Sequence, residues 1–130
     1  MTAEPEARRT RVMIVEDRTD FRRLLANLLN RQADLEVVAE AGSLRMARAH
    51  AARATLDVIL LDLNLPDGKG WDLIADLRGA NRGVGVLVLS ASFDRANLAR
   101  ANEAGADVIL DKFATPSEIL DAIRTAFTSR

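Results

Sequence analysis

Several residues that could do chemistry stand directly after short runs of Val, Ile and Leu. They are, in chain order, Glu16, Asp17, Asp62, Ser90, Ala91, Asp111 and Lys112. Carboxylates that share a small volume repel one another, and a bound cation relieves that repulsion. Oxygen ligands without His or Cys favour Mg²⁺ or Mn²⁺ over softer metals. If Glu16, Asp17 and Asp62 lie together, the sequence predicts a site for a hard divalent cation, with a hydroxyl and an ammonium group beside it.

Five short apolar runs predict the strands that position these residues. The runs cover residues 12–15, 35–39, 58–61, 84–89 and 108–110. Runs this short, rich in Val, Ile and Leu, are typical of buried strands, and amphipathic helical patterns separate them. The alternation predicts an α/β fold with a doubly wound, five-stranded parallel sheet, (βα)5, covered on both faces. Ligands bind outside the carboxyl ends of such strands, so the polar residues are expected at one edge of the sheet.

Local signals predict five helices between and after these strands. Thr115 and Glu118 have the spacing of a capping box, with Pro116 at the first helical position. This combination is a specific helix start. The remaining signals are Ser43 and Asp94 as N-caps, Gly105 as a helix stop, an apolar stripe over residues 21–29 and a short helical pattern over residues 71–78.

The composition excludes several classes of protein. The chain has 130 residues, no Cys and one His, so thiolate metal sites, disulfide scaffolds and His-cluster metal sites are excluded. Its net charge of −1 does not fit a nucleic-acid-binding domain, which is usually strongly basic. No apolar run approaches the roughly 18 residues of a membrane span. We expect a cytoplasmic chain that contacts neither nucleic acid nor membrane directly.

Four segments of the sequence resemble the receiver domain of two-component response regulators, a CheY-like, flavodoxin-like superfamily. They are V-M-I-V-E-D (12–17), V-I-L-L-D-L-N-L-P-D-G (58–68), V-L-V-L-S-A (86–91) and G-A-D-V-I-L-D-K (105–112). The resemblance implies strand order 2-1-3-4-5 and a receiver domain over residues 11–128, after a disordered tail over residues 1–10. It implies a phosphorelay signalling domain whose only activity is Mg²⁺-dependent self-phosphorylation and autodephosphorylation.

The same resemblance implies an acceptor residue and its metal ligands. Asp62 is expected to accept a phosphoryl group from a sensor histidine kinase or a histidine phosphotransfer protein. Asp17 and Asp62 are expected to bind Mg²⁺, or Mn²⁺, directly. Glu16 is expected to reach the ion through water, and Asn64 to offer its backbone carbonyl. Transfer of a phosphoryl group needs its charge neutralised, which a metal ion achieves while orienting the nucleophile.

Further roles follow from the resemblance for the residues around the acceptor. Lys112 is expected to bind the phosphoryl oxygens as a point charge. Ser90 is expected to be the switch hydroxyl, with Ser92 as the competing position, and small Ala91 to leave the approach open. Asn64 and Ser92 are expected to tune dephosphorylation, which predicts a phosphoryl lifetime of minutes.

Two residues depart from the family pattern. Phe113 stands where the family usually has Pro after the Lys, often with a cis peptide, and a cis bond without Pro costs about 3 kcal/mol. Ile109 stands at the switch position that usually carries an aromatic ring. The output is still expected through the helix 4–strand 5–helix 5 face, toward a downstream protein or an effector domain, with a homodimer on phosphorylation. Either Ile109 or the loop after Ser90 moves in place of the aromatic ring, or the switch is weaker.

Alternatives stay open at the level of sequence. The chain could be a receiver excised from a larger DNA-binding transcriptional regulator, or a phosphorylation-independent interaction module. A phosphatase of the haloacid dehalogenase type would need a second Asp where Asn64 stands. At single residues, Glu16 and Asp17 could be a solvated strand end with a helix N-cap, and Lys112 a plain surface charge. The Arg residues near the start of the first helix could be a solvated face or a docking surface.

Overall fold

Strands and helices alternate along the chain in the computed structural model, which describes residues 8–80, 82–91 and 94–130. The strands of the main sheet are β1 (Thr10–Val15), β2 (Leu35–Ala41), β3 (Val58–Asp62), β4 (Gly85–Ser90) and β5 (Val108–Asp111). The helices are α1 (Thr19–Asn30), α2 (Leu44–Arg53), α3 (Gly70–Gly79), α4 (Arg95–Ala104) and α5 (Pro116–Thr128). Across the described ranges, none of these helices has the length and apolar character needed to cross a membrane.

The main sheet has the order β2-β1-β3-β4-β5, and every neighbouring pair is parallel. This confirms the predicted α/β class and the strand order 2-1-3-4-5. The order changes direction between β1 and β3, which is where open sheets of this type form a ligand crevice. Val15 of β1 pairs with Leu61 of β3, so the residues after them, Glu16 and Asp62, follow at the same level.

Two apolar layers cover the two faces of the sheet. Met13 and Val15 face a layer built with α2, α3 and α4, whereas Val12 and Ile14 face a layer built with α1 and α5. Successive residues of a strand point to opposite faces, so both kinds must be apolar when both faces are covered. This explains why β3 is a continuous apolar run up to Asp62, with every residue buried.

The helix ends follow the capping signals of the sequence. The capping box of α5 is present: the Thr115 N–H donates to Glu118 Oε1 at 3.0 Å, and the Glu118 N–H donates to Thr115 Oγ1 at 3.2 Å. Ser43 and Asp94 cap α2 and α4 through their side chains. The N-cap of α1 is Arg18, without a side-chain cap bond, so the alternative of Asp17 as N-cap is wrong.

A short hairpin that the sequence analysis did not predict follows β3. Residues Asn64–Leu65 pair antiparallel with Gly68–Lys69. Gly68 has a φ of +152°, a conformation that residues with a side chain rarely adopt. The hairpin holds the segment between the end of β3 and the start of α3 close to the carboxyl edge of the sheet.

The segment expected to be a disordered tail is described only from residue 8. Thr10 begins β1, and an Arg8 guanidinium nitrogen lies 3.2 Å from an Asp57 carboxylate oxygen. Residues 1–7 lie outside the described residues. Strand pairing therefore reaches one residue further toward the N-terminus than the expected domain start at residue 11.

Candidate functional site

Three carboxylates converge at the carboxyl edge of the sheet. One oxygen each from Glu16, Asp17 and Asp62 lies within 4.8 Å of the others. Glu16 and Asp62 are buried, whereas Asp17 is exposed. The three thus meet as the strand-end argument predicts, and the alternative of a solvated strand end is wrong for Glu16. All the donor atoms are carboxylate oxygens, a set that fits a hard divalent cation such as Mg²⁺.

Lys112 bridges the two buried carboxylates. Its Nζ lies 3.0 and 3.1 Å from the carboxylate oxygens of Glu16 and 3.0 Å from Asp62 Oδ2. The side chain is only 16% exposed, so the alternative of a plain surface charge is wrong. The backbone N–H of Lys112 donates to the Ser90 carbonyl at 3.0 Å, which ties this residue to the end of β4. Side chains from three separate segments of the chain thus meet at one ammonium group.

The pKa values of the buried pair reflect this crowding. Burial, together with the hydrogen bond and the charge of Asp62, raises the pKa of Glu16 to about 7, although Lys112 acts in the opposite direction. Burial by itself would lower the pKa of Lys112, but hydrogen bonds to Glu16 and Asp62 outweigh it and raise that pKa above 10.5. Lys112 therefore keeps its charge near neutral pH, and additional positive charge at the carboxylates would favour the ionised form of Glu16.

Asn64 borders the site on the hairpin side. Its backbone N–H donates to Asp62 Oδ1 at 3.2 Å, which orients the carboxylate whose other oxygen faces Lys112. The exposed Asn64 side chain accepts a hydrogen bond from Lys69 Nζ at 2.7 Å. Lys69 Nζ also lies 5.8 Å from the centre of the Trp71 ring. The side chain of Asn64 is thus held by a neighbour on the same hairpin, while its backbone contacts Asp62.

The end of β4 lies next to Lys112, whose backbone N–H donates to the Ser90 carbonyl. Ser90 is the last residue of the strand, is 2% exposed and pairs with Asp111 across the sheet. Ala91 is exposed and lines a cavity of about 390 Å³ beside Lys112. Ser92, the other residue expected to tune dephosphorylation, lies outside the described residues. Ser90 thus ends the strand in a buried position, and Ala91 follows it in an exposed one.

The two departures from the family pattern have different surroundings. Ile109 is half-buried in β5 and packs against the core layer that α2, α3 and α4 cover. The Phe113 side chain is 88% exposed. The peptide bond between Lys112 and Phe113 is trans, and the Phe113 N–H donates to Asp111 Oδ1 at 2.7 Å.

Two residues that the sequence analysis did not single out hold the site in place. The Asp67 carboxylate accepts from the backbone N–H groups of Leu44 at 2.8 Å and Arg45 at 3.0 Å, so it caps α2 from the loop after β3. Gly70 begins α3 so close to β3 that a Cβ would lie 2.6 Å from the Asp62 carbonyl oxygen. Asp67 stands next to Gly68 in a turn, and this local sequence does not indicate that its carboxylate caps a helix elsewhere in the chain. For Gly70, the residue type itself is the one sequence signal that α3 approaches β3 closely.

The open sheet with a carboxylate and lysine site at its switch point defines a flavodoxin-like α/β protein. The family model for the response regulator receiver domain matches residues 12–124. The chain therefore belongs to the response regulator receiver family, a class of signalling domains in two-component systems.

Curated relatives agree with this membership. The nitrate/nitrite response regulator protein NarP of Escherichia coli K12 is 39% identical over 120 residues, which cover 92% of this chain and 56% of that protein. The KDP operon transcriptional regulatory protein KdpE of the same organism is 40% identical over 117 residues, covering 90% and 51%. The chain thus spans about half the length of the curated relatives it matches.

Solved structures share the fold. A two-component response regulator of the LuxR family from Aurantimonas sp. SI85-9A1 superposes with a TM-score of 0.85 at 28% identity, over 94% of this chain and 87% of that one. A CheY-like receiver domain protein from Methanospirillum hungatei JF-1 superposes with a TM-score of 0.85 at 22% identity, over 93% and 95%. The second likeness shows the fold alone.

Proposed function

We propose that this receiver domain accepts a phosphoryl group on Asp62 and that the reaction requires Mg²⁺ or Mn²⁺. The observation that carries the proposal is the position of Lys112 Nζ, 3.0 Å from Asp62 Oδ2 and from Glu16 Oε1, beside a third carboxylate. A nucleophilic carboxylate, an ammonium group and a cluster of oxygen ligands are the parts that phosphoryl transfer needs.

Each side chain has a distinct task in the proposed reaction. An oxygen of Asp62 forms the new O–P bond while the bond from phosphorus to the donor's leaving atom breaks and leaves its electrons on that atom. The Asn64 N–H, 3.2 Å from Asp62 Oδ1, limits rotation of the carboxylate before attack. Lys112 binds the phosphoryl oxygens as a point charge, because its Nζ already lies within hydrogen-bond distance of Asp62.

The carboxylate cluster supplies the metal site of the proposal. Asp17 and Asp62 would hold Mg²⁺ directly, Glu16 through water, and Asn64 through its backbone carbonyl. An ion bound there would neutralise the negative charge of the phosphoryl group during its transfer. The exposed Asp17 leaves an open side for a hydrated ion, and buried Glu16 closes the inner side.

The partner and the output are part of the same proposal. The phosphodonor is a histidine kinase or a histidine phosphotransfer protein, and phosphorylation shifts a pre-existing equilibrium between two forms. Ser90 turns toward the acylphosphate, and half-buried Ile109 repacks in place of the usual aromatic ring. The altered face is α4–β5–α5, which binds a downstream protein or effector domain and forms the homodimer.

Intact-mass measurement after incubation with acetyl phosphate and Mg²⁺ tests the proposal. We expect a gain of one phosphoryl group that is lost in Asp62→Asn and in the presence of EDTA. Asp76→Asn is the matched control, because Asp76 lies on the surface of α3 in an exposed pair with Arg48. Asn64 can orient water at the acylphosphate, so the added mass should decay in minutes. A gain that persists in Asp62→Asn, or in EDTA, would contradict the proposed chemistry.

A second proposal concerns the output of the whole protein. Several curated relatives are named as transcriptional regulators, and this chain spans about half of their length. We propose that the domain controls transcription when it is joined to a DNA-binding domain. An immunoblot of source cells should then show a protein well above 14.2 kDa. A band at the mass of this chain alone would contradict this second proposal and leave the first intact.

A further inference from the structure

A cavity of about 390 Å³ opens beside the acceptor, between the start of α1 and the loop that follows β5. Its walls are Arg18, Phe21, Ala91, Lys112 and Phe113. Lys112 connects the cavity to the acceptor, because its Nζ lies 3.0 Å from Asp62 Oδ2 and 5.3 Å from the centre of the Phe21 ring. A group that leaves the phosphorus at Asp62 therefore has next to it a cavity lined by two aromatic rings and two cationic side chains.

The Phe113 ring has no packing role that explains its position. It is 88% exposed, although Phe side chains are among those most often buried in folded proteins. The contact that its backbone makes, from the N–H to Asp111 Oδ1, is available to any residue except Pro. The ring instead adds a second aromatic wall to the cavity that Phe21 lines.

We propose that Phe21 and Phe113 bind the planar leaving group of the phosphodonor and make Asp62 react preferentially with donors that carry an aromatic ring. This inference rests on the proposed function and adds a specificity-determining role for Phe113. The matching ligand is an imidazole ring, because flat rings pack on phenyl groups. The ring is cationic in the protonated donor and neutral once the N–P bond has broken, so the nearby charges of Lys112 and Arg18 favour its departure.

The reaction balances with this ligand in the cavity. An Asp62 oxygen forms the O–P bond, the N–P bond of a protonated N-phosphoimidazole breaks, and its electron pair stays on the ring nitrogen. The ring leaves as neutral imidazole. In-line displacement puts the leaving group on the side of the phosphorus away from Asp62. Ala91 and Phe113, which line the cavity, are both exposed and leave it open to solvent.

Two small phosphodonors with the same N–P bond isolate the contribution of the ring. Phosphorimidazole carries the ring, whereas phosphoramidate releases ammonia and has none. Rates of Asp62 phosphorylation are measured by intact mass at saturating Mg²⁺ for the wild type, Phe113→Ala and Phe113→Trp. Phe127→Ala is the matched control, because Phe127 is another partly exposed ring, 42% exposed, on α5 and outside the cavity.

We expect the ratio of the phosphorimidazole rate to the phosphoramidate rate to fall about two- to tenfold in Phe113→Ala. The ratio should stay near the wild-type value in Phe113→Trp and in Phe127→Ala. An unchanged ratio in Phe113→Ala, with both donors active, overturns the inference and leaves the proposed function standing. An equal fall for both donors also overturns it. Failure of both donors on the wild type overturns the proposed function, and the inference with it.

Discussion

Replacing Gly70 by Ala tests how closely the first turn of α3 approaches the end of β3, where Asp62 lies. The Gly70 N–H donates to the Leu63 carbonyl at 2.8 Å, and this hydrogen bond holds the first turn of α3 next to the end of β3. A Cβ at residue 70 would lie 2.6 Å from the Asp62 carbonyl oxygen and 3.1 Å from Leu61 Cγ. Ordinary contact begins at 3.4 Å, so the helix and the strand end must separate by about 0.8 Å.

The expected cost of Gly70→Ala combines two opposing effects. Inserting a methyl group against rigid backbone destabilises a packed protein by about 1–3 kcal/mol. Replacing Gly by Ala also reduces the conformational entropy of the unfolded chain, which favours the variant by roughly 0.4–1 kcal/mol. We therefore expect the free energy of unfolding to fall by about 1–2 kcal/mol. Because the displaced backbone carries the proposed nucleophile, the rate of Asp62 phosphorylation should fall by about tenfold or more.

Urea unfolding and acetyl phosphate labelling measure the two effects on the same samples. Gly79→Ala is the matched control, because Gly79 ends the same helix and a Cβ there would meet no atom within 4 Å. The control should unfold at the wild-type urea concentration or above it and label at the wild-type rate. Wild-type stability in Gly70→Ala would refute the close approach. Lower stability with an unchanged labelling rate would refute its link to the position of Asp62.

Two further predictions concern the loop after β3 and the proposed metal site. Hydrogen bonds from the Leu44 and Arg45 N–H groups lower the pKa of Asp67 below its ordinary 3.8. The ionised carboxylate therefore stabilises the folded state above pH 3.8, and this contribution is lost as the pH falls through the folded-state pKa. Asp67→Ala should thus lower the urea midpoint at pH 7, with the difference from wild type narrowing toward pH 2, and a pH-independent difference would contradict a carboxylate cap. Asp17→Asn should weaken Mg²⁺ binding in calorimetric titrations by at least about tenfold. It should leave the urea midpoint unchanged, since Asp17 is exposed. Wild-type affinity would remove Asp17 from the proposed metal site.

The fold could be predicted from the sequence because its signals are local. A capping box such as Thr115 with Glu118 spans four residues, and a buried strand such as residues 58–61 is visible as an apolar run. The alternation of such segments leaves few parallel-sheet topologies, and the end of each strand then marks one edge. The meeting of Glu16, Asp17 and Asp62 follows from that rule before any contact is known.

The details of the site depend on contacts between distant segments. Asp67 caps a helix that begins 23 residues earlier, and nothing in its local sequence distinguishes it from a turn residue. The closeness of Gly70 to Asp62 depends on how α3 settles on β3, which packing across the whole layer decides. The exposed ring of Phe113 has the same cause, because exposure depends on which elements surround a residue.

The sequence by itself predicted the five main strands, the helices between them and the residues at the carboxyl edge of the sheet, because periodicity, caps and strand ends are encoded within a few residues. The order of the strands was implied by the resemblance to the receiver family. Only the tertiary structure decided that Glu16 is buried while its neighbour Asp17 is exposed, that one Lys112 ammonium contacts two carboxylates, and that a cavity opens beside them. The burial of a side chain and its distance to another depend on how segments far apart in the chain pack together, so no local sequence pattern predicts them.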